Sequence, residues 1–468
     1  MVTVTSLNAV DYGVTPNTGT DQSLSLKNAV DAAAAQGLPL FIPDGTYHVG
    51  EIVIDRPVEI IGSPAGTKLL PFGTTATCCL RVQPLPGNSE IGRVTIRDMV
   101  VDGTDTPFPP GNIINGLISV DSCRSIHIEN CQTLNSNGSG IYLYKSQGKV
   151  TGCTSSNSLS FGIFLIDSIG MIISTNILTQ NRNNGIGVWR YIRSFDGSII
   201  QDNKISNTDN VAGGTGQYGN GISSFRAGGI TIAGNNISGS SLSAIRVNSC
   251  DDAKVTNNYC YDSKETAIYI EAPDGSSDPT IIYEGGIVTG NIVKYSGFGI
   301  SVVNVDAGGR RVIVSSNQVI DSEVRTVPYG TGPAQTTGAG IGGQGDVLIN
   351  GNMVENAAGY AISVYPTNVN TGKLGTQKMF DVVTANTVRN APGGIALIRA
   401  DTTYGRILVG GNLITGYATS GDLSGAIVPA VYNGATGVIS REPGSTDLGN
   451  ASSSTLSNVT LYQNYAFN

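Results

Sequence analysis

Hydrophobic and polar positions alternate over short stretches of the chain, and the alternation restarts at a steady interval. An apolar residue, two spacers and an asparagine recur in ISTN ending at Asn176, IQDN at Asn203, IAGN at Asn235, VTNN at Asn258 and VTGN at Asn291, then in VSSN at Asn317, INGN at Asn352, VTAN at Asn386 and VGGN at Asn412. Cys131 and Cys153 take the same slot in two earlier copies. Successive slots lie 22 to 35 residues apart, the length of one coil of a solenoid with loops of variable size. A second signature falls between them: GIYLYK, GIFLID, GIGVWR, GISSFR, AIRVNS, AIYIEA, GISVVN, AISVYP and GIALIR. The pattern predicts an all-β fold, a single-stranded right-handed parallel β-helix, whose asparagines hydrogen-bond from coil to coil as a structural ladder.

Only one segment carries a helical period. Residues 21–36, DQSLSLKNAVDAAAAQ, place Leu24, Leu26, Ala29 and Val30 on one face, with Asp21 as expected N-cap and Gly37 as the stop. The expected organisation is an N-terminal cap with this α-helix over residues 1–55, the β-helix over 56–414, and an irregular C-terminal coil and cap over 415–468.

Alternation along a strand sends the Ile of each signature, and the residue two later, into the coil. Its neighbours form outward columns. The first runs Tyr142, Phe164, Gly187, Ser223, Arg246, Tyr269, Ser301, Ser363, Ala396; the second runs Tyr144, Ile166, Trp189, Phe225, Asn248, Glu271, Val303, Tyr365, Ile398. The next position holds Lys145, Asp167, Arg190, Arg226 and Asn304, among others. With coils about 4.8 Å apart, the sole Trp and three Arg are expected to gather in one patch. Loops at 206–219 and 321–338, together with those after Arg190, Ala272 and Asn304, would wall it into a groove. Outward aromatics such as Tyr142, Phe164 and Phe225 equally suit shielding of the sheet.

Composition narrows the partners. The chain has 468 residues with 62 Gly, 13% charged residues and a net charge of −8. No basic tract or apolar run of membrane-spanning length occurs, so nucleic acid and a membrane span are excluded as expectations. Arginines on adjacent coils therefore need local anions. Asp167 and Glu271 offer some, and an acidic, uronate-containing polysaccharide would supply more, its sugar faces stacking on Trp189 and the tyrosines. β-Elimination is the expected chemistry: Arg246 neutralises the uronate carboxylate, and Tyr269 or Glu271 moves the protons. Arg190, Arg226, Asn248, Tyr218, Asn220, Tyr142, Tyr144, Asp167 and Asn304 are the expected substrate contacts beside Trp189.

Hydrolysis is the rival, requiring two carboxyls about 5.5 Å or roughly 6.5 to 9.5 Å apart. Asp167 and Glu271, four coils or about 19 Å apart, do not qualify. Glu271 would need a loop acid: Asp251, Asp252, Glu265 or Glu284. Noncatalytic glycan binding by an envelope protein is the third reading. No cofactor is expected. Two histidines, His48 and His127, fall outside the patch, while calcium on Asp196, Asp306 or Glu284 stays open. A homo-oligomer also stays open. The GAGIGGQG run at 338–345 reads as small-residue packing, and the odd cysteine count argues against a disulfide scaffold.

The opening DYG…TDQ…AVDAAAAQG…LFIPDGTY, together with the coils from about residue 8 to 414, resembles the pectate-lyase-like β-helix superfamily. There the helix caps the first open edge of the solenoid. Within it, NNGIGVWR…GQYGNGISSFRAG…SAIRVNS…ETAIYIEA is similar to a set of exported bacterial repeat proteins associated with twin-arginine translocation. That resemblance implies an exported protein, periplasmic or extracellular, whose leader is absent from this sequence. The multi-aspartate signature of polygalacturonases and the aspartate-proline-histidine motif of alginate epimerases are missing.

Overall fold

A computed structural model describes residues 6–73, 78–104, 115–271, 284–303, 310–329, 332–365, 379–398, 405–433, 438–451, 456 and 458–467. The chain forms two compact units, Met1–Ala212 and Gly213–Asn468. Both are built from parallel strands stacked coil on coil.

The first unit opens with the helix, which spans Ser23–Gln36. Its buried residues are Leu26, Ala29, Val30 and Ala33, the i, i+3, i+4, i+7 stripe that a 3.6-residue period allows. Two expectations are corrected. Leu24 faces out at 74% exposure, because it lies off that stripe. The N-cap is Gln22, without a side-chain cap bond; Asp21 acts one residue earlier, accepting the Ser23 amide at 2.9 Å. Gly37 ends the helix at φ 64°, a left-handed turn that glycine adopts without strain.

Three parallel ladders follow in this unit. One passes through Leu40–Ile42, Val58–Gly62, Ile91–Arg97 and Cys123–Glu129 to Gly148–Thr151. A second stacks Gly116–Asp121, Ser139–Tyr144, Phe161–Ile166 and Asn184–Phe195. The third stacks Val100–Asp102, Gln132–Leu134, Thr154–Ser156, Ile177–Thr179 and Lys204–Ser206. Ile141, Ile163 and Ile186 are in register and fully buried, so the Gly-Ile signature is the core of each coil. Cys131 and Cys153 are buried free thiols.

The second unit repeats the plan. Asn235, Asn258, Asn291, Asn317, Asn352, Asn386 and Asn412 each donate Nδ2 to the Oδ1 of the next asparagine at 2.9 to 3.0 Å. In the first unit Asn176 does the same to Asn203. Each rung meets buried polar groups that no water could satisfy. The residue before the asparagine takes a left-handed corner: Gly290 at φ 69°, Asn257 at 56°, Gly411 at 65°.

The C-terminal end differs from expectation. Val459–Tyr462 and Tyr465–Phe467 pair in parallel with the preceding coil, and Asn464 accepts the last ladder bond from Asn412. One more regular rung therefore lies beyond residue 414. It follows an antiparallel hairpin of Gly425–Asn433 with Val438–Arg441.

Candidate functional site

Strand register puts Arg246 directly beside Tyr269, and Asn248 beside Glu271, as the columns predicted. The Arg246 guanidinium lies 4.8 Å from the Tyr269 ring centroid. Its Nε donates to Glu271 at 2.6 Å and its Nη1 to Glu265 at 3.4 Å. Asn248 Nδ2 donates to the same Glu271 oxygen at 2.7 Å. Both glutamates are buried, at 6% and 7% exposure.

Glu265 is the loop acid that spacing alone left unplaced. It sits where the register of strand Tyr259–Glu271 shifts, between Ser263 and Thr266, and such a bulge re-aims a side chain off the strand's alternation. Ser243 Oγ donates to it at 3.0 Å and Tyr329 Oη at 2.6 Å. Burial pushes the Glu265 carboxyl above the ordinary carboxylate range, against the opposing pull of Arg246, Tyr329 and Ser243. Burial and the Glu265 charge together raise the Tyr329 hydroxyl well beyond a free phenol.

Arg246 is sealed from above. Its Nη1 donates to the Thr215 carbonyl at 3.2 Å, and a Cβ on Gly216 would stand only 2.0 to 2.3 Å from the guanidinium atoms. A side chain at 216 would displace the guanidinium. Asn220 secures that loop by donating to the Gly216 carbonyl at 2.9 Å while accepting the Ser243 amide at 3.2 Å. Burial works against the Arg246 charge, but Glu271 and Glu265 more than offset it and raise its pKa.

Glu265, Tyr269 and Tyr329 face a pocket of about 240 Å³. One wall is an antiparallel hairpin, Thr326–Tyr329 with Gly332–Gln335, tied down by the Tyr329 bond and by Arg325 to Asp262 at 2.5 Å. The floor continues the first column through Ser301, Gly342 and Ser363. Gly342 belongs to this column because GIGGQG fits the signature of the other coils. Phe298, Tyr365 and Tyr432 complete the aromatic lining. Among the described lining residues there is no Lys, Arg or His, and Glu265 is the sole carboxyl. The sequence signal for Tyr329 was the TVPY…GPAQ insertion, whose length marked it but whose target did not show.

The remaining expected contacts have other neighbours. Arg226 is in a left-handed corner at φ 58° with its guanidinium 4.6 Å from the Phe225 ring centroid. Tyr218 is half-buried, and burial raises its hydroxyl pKa. In the first unit, Trp189 packs edge-on against Phe161 and Phe164, with centroids 5.4 and 5.1 Å away. Arg190 donates to Ser194 at 2.8 Å and pairs with buried Asp196 at 3.5 Å. Asp167 accepts the Tyr191 amide at 3.1 Å. Tyr142 tilts against Phe164, and Lys145 stands over the Tyr144 ring. Burial pushes the Tyr142 hydroxyl well up. Asn304 lies outside the described residues, as do Asp306 and the Glu284 side chain. Among the described residues no group of three or more His, Cys, Asp or Glu side chains converges as a metal site, and no helix is long and apolar enough to cross a membrane.

The family model described as "Right handed beta helix region" matches residues 87–216 and 139–319. Together with the stacked parallel coils, this makes the chain a right-handed parallel β-helix protein. Among solved structures, the Streptococcus pneumoniae surface adhesin PfbA matches over 99% of this chain and 100% of its own, at 14% identity and TM-score 0.53. The catalytic unit of a GH87 α-1,3-glucanase from Streptomyces thermodiastaticus matches over 100% and 69%, at 12% identity and TM-score 0.51. The mannuronan C-5 epimerase AlgE4 A-module of Azotobacter vinelandii matches over 83% and 97%, at 16% identity and TM-score 0.44. No curated protein matches the sequence. At these identities the likeness concerns the fold.

Proposed function

We propose that the protein is a glycan-acting enzyme that hydrolyses a glycosidic bond at the Glu265 pocket. The observation that carries this reading is a buried glutamate with a raised pKa, facing an aromatic pocket and sharing one guanidinium with a second glutamate. A buried carboxyl whose pKa is raised by desolvation is suited to protonate a leaving glycosidic oxygen. Glu265 and Glu271 share one guanidinium, Arg246 reaching them at 3.4 and 2.6 Å. Glu265 gives its proton to the leaving oxygen as the C–O bond breaks. Water adds to the anomeric carbon and returns a proton to Glu265, while Glu271 holds the Arg246 guanidinium beside it.

The elimination expected from the arginine columns has less support. It requires a cation open to the substrate carboxylate, whereas Arg246 is bonded to Glu271 and Glu265 and lies beneath Gly216. A binding-only role is the second reading, favoured by the aromatic walls, which would hold a sugar whether or not Glu265 acts, and by the fold shared with a surface adhesin. The deciding experiment incubates the wild type and Glu265→Gln with neutral and acidic polysaccharides, reading reducing ends and ultraviolet absorbance together. New reducing ends without absorbance, lost in Glu265→Gln, support hydrolysis. Unsaturated, absorbing products indicate elimination instead, and retained binding without either product indicates an adhesin-like role.

A further inference from the structure

We propose that the pocket beside Glu265 is a terminal subsite for a single uncharged sugar residue, so that the ligand is a neutral or N-acetylated glycan presented by its end. The inference rests on reading this site as glycan-directed, but not on its being catalytic, and it departs from the uronate chain that the arginine columns suggested.

Charge comes first. The described residues facing the pocket carry one carboxyl, Glu265, and no cation. The nearest guanidinium, Arg246, is only 12% exposed and is engaged by two glutamates and the Thr215 carbonyl. A uronate carboxylate here would be desolvated beside Glu265 with no counter-charge, whereas hydroxyl and acetamido groups carry no such penalty. Hydrogen-bonding capacity is present in neutral form, from Ser301, Ser363, Gln335, Gln344 and the tyrosine hydroxyls.

Shape comes second. The column of outward side chains shrinks over three successive coils to Ser301, Gly342 and Ser363, which leaves a shallow bay in a face that is aromatic on the coil before it, at Tyr269. Rings stand around the bay: Phe298, Tyr329, Tyr365 and Tyr432 beside Tyr269. Aromatic walls around a floor of small residues suit the apolar faces of a pyranose. Two hairpins bound it, the 326–335 wall and the Gly425–Asn433/Val438–Arg441 pair, whose facing residues Tyr432 and Ile439 both line the pocket. Its volume of about 240 Å³ admits a sugar ring, and the two bounding hairpins favour a chain presented by its end. Gly342 is the residue that sets this specificity: a Cβ there would stand 2.8 Å from the Phe298 ring and 3.4 Å from Ser363 Oγ, intruding on the floor.

The test uses the whole chain and methyl glycosides of glucose, galactose, mannose, N-acetylglucosamine, glucuronic acid and galacturonic acid, with binding read by saturation-transfer NMR and calorimetry. At least one uncharged glycoside should bind about tenfold tighter than either uronate. Gly342→Val and Ala334→Trp, the latter filling the bay from the hairpin, should each weaken that binding about tenfold in protein that keeps the wild-type circular-dichroism spectrum. The proposal is overturned if a uronate binds as tightly as the best uncharged glycoside, if both variants retain binding, or if no glycoside binds. Binding of uncharged sugars without any turnover would sink the hydrolase reading and leave this one standing. Turnover of a uronate polymer dependent on Glu265 would do the reverse.

Discussion

Two arginines on different copies of the same repeat end up in different chemistry. Arg190, in the first unit, follows Trp189 and meets one acid: Asp196, fully buried, with Ser194 and the Ser168 carbonyl as further acceptors. Arg246, in the second, meets two: Glu271 and Glu265. One acid against one guanidinium leaves a neutral pair, whose rings and hydroxyls pack around it as structure. Two acids against one guanidinium leave a carboxyl in excess, and one of the two, Glu265, faces a pocket. The stoichiometry of a buried ion cluster, more than its residue types, separates scaffold from candidate site.

Glu265→Gln breaks the comparison most directly. It preserves shape and removes the proton, so glycan turnover should fall by roughly 10²- to 10⁴-fold, measured as reducing ends at saturating substrate. Arg246→Met comes next. It strands two buried carboxyls on one wall and should destabilise the second unit by about 3 to 5 kcal/mol, seen as a lower urea midpoint at pH 7 that recovers toward acid pH. Asp196→Asn tests the other side. It should cost about 1 to 3 kcal/mol and leave glycan turnover as it was, since its pair is scaffold; a large loss of activity would erase the distinction.

The smallest effect sharpens the assignment of the proton. Folding raises the Glu265 pKa, burial being the main cause. Its protonated form is thus favoured, and both the stability it contributes and the activity it supports decline as pH rises through the raised value. The Tyr329 bond favours the ionised form. Tyr329→Phe should therefore move the basic limb of the pH–rate profile upward by a fraction of a unit to about one unit, and a downward move would show that another group sets that limb.

Much of the molecule was legible in the sequence because a coil repeats its constraints. Ile in the core and asparagine at the corner fix the register, and register alone placed Arg246 beside Tyr269 and Asn248 beside Glu271. The rest escaped for physical reasons that differ from residue to residue. Glu265 lies on a register shift, where counting by twos fails. Tyr329 reaches it from 64 positions away, out of a hairpin insertion, and insertions follow no period. Gly216 matters through the side chain it lacks. For Phe164 the shielding reading holds, since it is fully buried. Asn464 stands 52 residues after Asn412, outside the usual interval because the 425–441 hairpin intervenes.

The asparagine column of the second unit has a direction: each amide from Asn235 to Asn412 donates to the side-chain oxygen of the asparagine that follows. The side-chain bonds consequently share one direction along the stack, each polarising the next, while the second amide hydrogen from Asn258 onward goes back to a backbone carbonyl of the preceding coil. Loops of any length can be spliced between coils without disturbing that line, since it is anchored at corners and not at loop tips. Such a backbone frees its margins to vary, which is how a monotonous spine can carry a pocket assembled from insertions.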